Sequence, residues 1–231
     1  MSLSLTMIAT AVVAFAGGGL TAWPTIHRLR ARLAEATWRL LHDPLTRQFN
    51  RDGLQAAHAA IAQTGDPQPI IAVLIDLDDF KPINDTYGHD AGDDLLIEIG
   101  DRINDTATLY GGVAARLSGD EYAALLPARQ HDFVRIADTF GTLISQPVEL
   151  TIDGNPVTIT PTASVGLALA ETTDALEDVA LHRADIAMYH AKHNGRNRHA
   201  IYEPGMTMPT SQPRRGPRLR DRRQHDGEAT A

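Results

Sequence analysis

The run Ile70–Leu77 (IIAVLIDL) constrains this chain most. Bounded by Pro67 and Pro69 and too short for a helix, it reads as a buried strand that ends in acids, Asp76, Asp78 and Asp79. Two shorter apolar runs, Val113–Leu117 and Tyr122–Leu126, flank Ser118-Gly119-Asp120-Glu121, which is a hairpin signal. Val157–Ala170 holds a further strand or strand pair after the turn Asp153-Gly154-Asn155-Pro156. Amphipathic helical stretches lie near 51–64, 90–105, 130–145 and 174–194. Helices alternating with strands predict an α/β or α+β domain with one central sheet over residues 43–203.

Charge is spread unevenly over that plan. The net charge of the 231 residues is −8. Residues 27–51 hold six Arg against Glu35 and Asp43, and residues 206–231 hold six Arg against Asp221, Asp226 and Glu228, leaving a net of −15 for residues 52–205. An acidic centre argues against nucleic acid as a partner, because a phosphate track needs a basic surface. A phosphorylated ligand here would be held through metal ions. Cysteine is absent, which excludes a disulfide scaffold, a thiolate zinc site and a cysteine nucleophile.

Three segments flank the core. Residues 3–23 are charge-free and long enough to span a bilayer. No basic residue precedes them, which argues against a cleaved signal peptide. Arg28, Arg30, Arg32 and Arg39 follow, so residues 1–25 read as a single-pass anchor in the cytoplasmic membrane with the C-terminal side, and so the core, in the cytoplasm. Over 26–42, Leu29, Leu33, Ala36 and Leu40 recur at 4-3-4 spacing, either a short coiled-coil seam or the inner face of a helix packed on its own domain. Residues 204–231 are rich in Pro, Arg and Gly without apolar periodicity and read as a disordered tail.

Two acidic clusters at strand ends supply what a hard cation needs. Mg²⁺ takes oxygen ligands, usually one or two carboxylates together with substrate phosphates. Asp76, Asp78 and Asp79 with Asp120 and Glu121 therefore raise a metal-assisted phosphoryl- or nucleotidyl-transfer reading, against the blander one of solvated acidic turns. Against 19 Arg the chain has only two Lys, Lys81 and Lys192. Lys192, near the end of the last helix, either complements the helix dipole or joins Arg196 in clamping a triphosphate.

These residues carry a resemblance. Ile75–Asp85 (IDLDDFKPIND) followed by Tyr87–Asp93 (YGHDAGD) resembles the nucleotide-binding stretch of the GGDEF family, the diguanylate cyclases. Arg116–Tyr122 (RLSGDEY) stands in place of the signature, and Asp43–Arg51 (DPLTRQFNR) resembles the motif that opens that domain. Ala163–Gly166 (ASVG) and Ala184–Lys192 (ADIAMYHAK), with Arg196 and Asn197, match its late motifs. The resemblance implies a palm-like fold with a mostly antiparallel central sheet flanked by helices. It also implies condensation of two GTP to cyclic di-GMP and pyrophosphate by a homodimer using Mg²⁺ or Mn²⁺.

Carried over by position, Asp76 and Asp120 match the metal-ligating carboxylates and the Leu77 carbonyl a third ligand. Glu121 matches the acid that deprotonates the 3′-hydroxyl or binds a second metal, and Asp120 is the other candidate for proton acceptor. Asn84 and Asp93 match the guanine readers, His89 a residue at the nucleotide site, and Lys81, Lys192 and Arg196 the phosphate contacts. Gly119 matches the glycine that turns tightly against a phosphate. The signature departs at Ser118, where the family has Gly, and at Tyr122, where it has Phe. Leu109-Tyr110-Gly111-Gly112 replaces the Arg-x-x-Asp product-inhibition motif that many members carry. The alternative to an active cyclase is a silent domain of the same fold serving as a GTP-responsive or protein-binding module.

Overall fold

A computed structural model describes residues 23, 25–63, 65–128 and 132–209. Most of the expected anchor and almost all of the expected tail lie outside these residues. Among the described residues no helix is long and apolar enough to cross a membrane.

The predicted strand is β1 (Pro69–Leu77), the centre of a five-stranded sheet. It pairs antiparallel with β3 (Glu121–Pro127) on one side and with β6 (Ala163–Glu171) on the other. Beyond β3 lies β2 (Val113–Ser118), antiparallel, and beyond β6 lies β7 (Arg198–Ile201), parallel. The order β2-β3-β1-β6-β7 is the mixed, mostly antiparallel sheet that the resemblance implies. A separate hairpin, β4 (Val148–Ile152) with β5 (Asn155–Ile159), departs from the expectation of one sheet. It turns at Asp153 (φ 50°) and Gly154 (φ 78°), two consecutive left-handed residues as a two-residue hairpin turn prefers.

Strand periodicity of two sorts β1 onto two faces. Ile71, Val73, Ile75 and Leu77 point into a core filled by α4 (His89–Leu109) and α5 (Phe133–Ile144), with Leu95, Ile99, Ile103, Ile136 and Phe140 fully buried. Ile70, Ala72 and Leu74 point into a second core with Leu54 of α2 (Arg51–Ala62) and Ala184 and Met188 of α6 (His182–His193). A π-helical turn, Leu176–Leu181, leads into α6. At Gly166 the backbone of α6 touches β6 so closely that a Cβ would collide with the Ala184 carbonyl and the Met188 amide. That contact sets the height of α6 over the sheet.

Two polar contacts fix the periphery. Arg102 of α4 donates to the carbonyls of Leu143, Ile144, Gln146 and Pro147, capping α5. The side chain of Asn50 accepts from the Gly53 amide at the start of α2 and donates to the Leu40 carbonyl at the end of α1, a helix over 25–41. Along α1, Leu29, Leu33 and Leu40 are 59%, 69% and 68% exposed. Among the described residues nothing covers these three leucines.

Tyr122, where the family has Phe, is fully buried, and its hydroxyl donates to the Leu96 carbonyl at 2.7 Å. Burial raises its pKa well above the ordinary tyrosine value, so the ring stays a neutral donor. Tyr122→Phe should cost about 0.5–1.5 kcal/mol of unfolding free energy, the net worth of one hydrogen bond, measured by urea denaturation.

Candidate active site

Asp76 follows Ile70, Ala72 and Leu74 on the α6 face of β1, and its register partner on β3 is Glu121. Residues directly opposite on paired strands lie side by side on one face, where two like charges repel. The opposing charge comes from Lys192 near the end of α6, whose Nζ lies 2.7 Å from Asp76 Oδ2. Asp120 occupies the turn between β2 and β3, and its carbonyl accepts from the Leu77 amide at 3.3 Å. Burial raises the pKa of both Asp76 and Asp120. Lys192 pulls both down and Glu121 pushes both up. These three carboxylates form one negative cluster at the end of the sheet, although among the described residues no three His, Asp or Glu side chains converge closely enough to enclose a metal ion.

Gly119 has φ 51°, the left-handed conformation that the tight turn requires, whereas Ser118 is absent from the described positive-φ residues and tolerates its side chain. The Ser118 hydroxyl donates to Glu121 Oε2 at 2.9 Å. The departure from the signature thus places a donor on one of the candidate acids.

The base-reading candidates sit on α3 (Phe80–Tyr87), an element that the apolar pattern does not announce, and on the first turns of α4. Asn84 packs against Gly92, where a Cβ would collide with its side-chain oxygen. That oxygen is buried without a hydrogen-bond partner. Asp93 follows Gly92 and is exposed, as is His89 at the start of α4. Lys81 is exposed on the first turn of α3. Arg196 lies 3.7 Å from Asp79 Oδ1 at the rim.

The structure therefore gathers Asp76, Asp120, Glu121 and Lys192 into one cluster, and it places Lys192 on a carboxylate. Asp78 is separated from that cluster. It is 6% exposed and turned to the Thr162 and Ser164 hydroxyls. Sequence reasoning also passed over Asp185 of α6, which lines a cleft of about 190 Å³ with Glu121, Arg51 and His182. Burial raises its carboxyl, and Glu121 adds to the effect. It stood within the late motif, but nothing in spacing tied it to Glu121.

One further link joins the domain's opening motif to the signature turn. Arg116 donates through Nε to the Gly119 carbonyl and through Nη1 to Asp43 Oδ1, both at 2.9 Å. Asp43 also accepts from the Thr46 amide and hydroxyl. Burial alone would raise the Asp43 carboxyl, but these hydrogen bonds and the Arg116 charge hold it below its ordinary value.

A family model described as "Diguanylate cyclase, GGDEF domain" matches residues 40–198. The chain belongs to the GGDEF family. It is 40% identical over 172 residues to the bifunctional diguanylate cyclase/cyclic di-GMP phosphodiesterase MucR of Pseudomonas aeruginosa, covering 72% of this chain and 24% of that protein. It is 37% identical over 184 residues to the diguanylate cyclase TpbB of the same species, covering 76% of this chain and 40% of the relative. This chain thus spans well under half the length of these relatives. Among solved structures, the coiled coil and GGDEF domain of DgcB from Caulobacter crescentus in complex with c-di-GMP superimposes with a TM-score of 0.65 at 28% identity. That match covers 78% of this chain and 95% of the other.

A lowered folded-state pKa means that Asp43 stabilises the fold above its unfolded value of 3.8 and that this stability is lost as pH falls through the lower folded value. Asp43→Asn should lose about 1–2 kcal/mol at pH 7, and its unfolding free energy should converge on the parent's below that range, followed by denaturant titrations between pH 2 and 7.

Proposed function

We propose that this chain is a diguanylate cyclase domain, condensing two GTP into cyclic di-GMP with release of two pyrophosphates. The observation that carries the reading is the cluster of Asp76, Asp120 and Glu121 at one end of the sheet, with Lys192 as its counter-charge. An all-oxygen donor set in which burial, and then the neighbouring Glu121, raise the pKa of Asp76 and Asp120 favours added positive charge, which fits Mg²⁺ or Mn²⁺. Asp76, Asp120 and the Leu77 carbonyl would hold it, with Glu121 beside them. When bound, the cation polarises the α-phosphate and makes the attacking 3′-hydroxyl more acidic.

The chain's own residues do the rest. A carboxylate of the cluster, Asp120 or Glu121, takes the hydroxyl proton. Lys192, paired with Asp76 in this structure, would form a cationic clamp on the phosphates together with Lys81 and Arg196. Asn84 and Asp93 read guanine, the carboxylate accepting from the base's N–H groups and so discriminating against adenine. The buried, unpartnered oxygen of Asn84 is one group a ligand would satisfy. His89, at the start of α4, would serve the same nucleotide.

Each 3′-hydroxyl attacks the α-phosphate of the other GTP, so two half-sites must face each other and the working unit is a homodimer. The exposed Leu29/Leu33/Leu40 seam on α1 supports pairing between copies. The charge-free segment 3–23 supports anchoring in the cytoplasmic membrane, which raises the effective concentration of chains that carry a net −15 in their core.

Full chain incubated with GTP and Mg²⁺ should yield cyclic di-GMP by mass spectrometry, and Asp76→Asn or Asp120→Asn should abolish it while leaving the domain folded. Burial raises the Asp120 pKa, so its ionised form costs stability once the pH rises above the unfolded value. Asp120→Asn should then match or exceed the parent's stability at pH 7 and lose that advantage in acid. GTP binding by the parent without product would mark a silent module instead.

Specific activity of a fragment beginning at residue 43 should rise with protein concentration, and the full chain should show a flatter dependence. Leu33→Asp with Leu40→Asp should shift the full chain toward the fragment. Activity per fragment chain that is constant down to nanomolar concentration would remove α1 from dimerisation.

A further inference from the structure

Two segments distant from it in sequence meet on the Asp78 carboxylate. It accepts from the Ser164 hydroxyl at 2.7 Å, the Thr162 hydroxyl at 3.1 Å and the backbone amide of Asn197 at 2.8 Å. Its own amide donates to the Thr162 carbonyl at 2.8 Å. A carboxylate this deeply buried is costly unless its oxygens are satisfied. Here the donors are two hydroxyls and one amide, and among the described residues no ion pair involves Asp78. All three partners can donate to it, which suits an acceptor-only group.

The third bond reaches beyond the sheet. Asn197 (φ 45°) follows Arg196 (φ 58°), two consecutive non-glycine residues in the left-handed region. That conformation is costly for side chains other than glycine and persists where surrounding contacts hold it. Gly195 (φ 116°) lets the chain leave α6, and the Arg196 amide closes the end of the helix onto the Ala191 carbonyl. Past that point the Asp78–Asn197 bond ties the turn back to the end of β1. Arg196 thereby projects over the rim beside Asp79, next to the cluster of Asp76 and Lys192.

We infer that Asp78 is a positioning residue for the phosphate clamp: it holds the 195–197 turn in its left-handed conformation and so aims Arg196 at the triphosphate of the nucleotide. The inference rests on the cyclase reading for the identity of the ligand. Asp78 itself touches neither metal nor substrate. Its effect on turnover passes through Arg196.

Two observations separate such a role from plain support of the fold. Asp78→Ala should raise the KM for GTP roughly tenfold, the scale of a misplaced binding group, while kcat at saturation changes less. Arg196→Ala should do the same, and the double variant should be little worse than either single one, because the two changes remove the same contact. Asp78→Asn should restore most of the affinity, since its amide can offer oxygen to Thr162 and Asn197 and its NH₂ to the Ser164 hydroxyl. Thermal unfolding of each variant establishes that the fold persists. Should Asp78→Ala not fold, Thr162→Val with Ser164→Ala carries the same cycle. Multiplicative losses in a chain that binds GTP, roughly a hundredfold for the double variant, would overturn the positioning role and leave the cyclase reading intact. A parent chain that binds no GTP would overturn both.

Discussion

Strand β1 is buried on both faces, and carboxylates are tolerable in such a strand only where it ends. That constraint organises the molecule. Inside the sheet, alternate residues of β1 fill two separate apolar cores, one with α4 and α5 and the other with α2 and α6. At its last turn the same alternation delivers Asp76 to the α6 side, beside Glu121. The strand that both cores share also places the acidic cluster at their common edge.

Helix α6 supplies the counter-charge of the cluster. Its close approach at Gly166 carries the C-terminal end of the helix over the end of β1, so that Lys192 reaches Asp76. Three carboxylates and one ammonium leave an excess of negative charge in a half-buried place, where burial and mutual repulsion both favour an incoming cation. One of the chain's two lysines is thus the counter-charge of the acidic cluster, and the other stands on the first turn of α3 below the rim.

A second set of contacts links the outside of the molecule to this edge. Asn50 joins the end of α1 to the start of α2, and at the same junction Trp38 stacks on His42 at 4.7 Å and His42 meets Phe49 in a tilted contact at 4.9 Å between centroids. From there Asp43 and Arg116 run to the Gly119 carbonyl in the signature turn. Helix α1 is in this way joined through a short series of contacts to the turn that carries Asp120.

Local chain properties determined much of this. The apolar run marked β1, its bounding prolines fixed its length, and Ser118-Gly119-Asp120-Glu121 announced the hairpin and two of its acids. Motifs in order along residues 43–203 named the family and pointed to Asn84, Asp93, Lys81, Lys192 and Arg196. What the sequence did not contain was which partner each group would meet. Asp78 looked like one more acid of the cluster until packing turned it toward an amide 119 residues away. Lys192 looked like a free phosphate ligand until the height of α6 brought it onto Asp76. Helix α3 was equally hidden, and of the β4–β5 hairpin the turn at Asp153-Gly154 was legible but not its separation from the main sheet. Spacing reports the period and polarity of one segment, whereas the partner of a buried polar group is settled by which segments the core brings together.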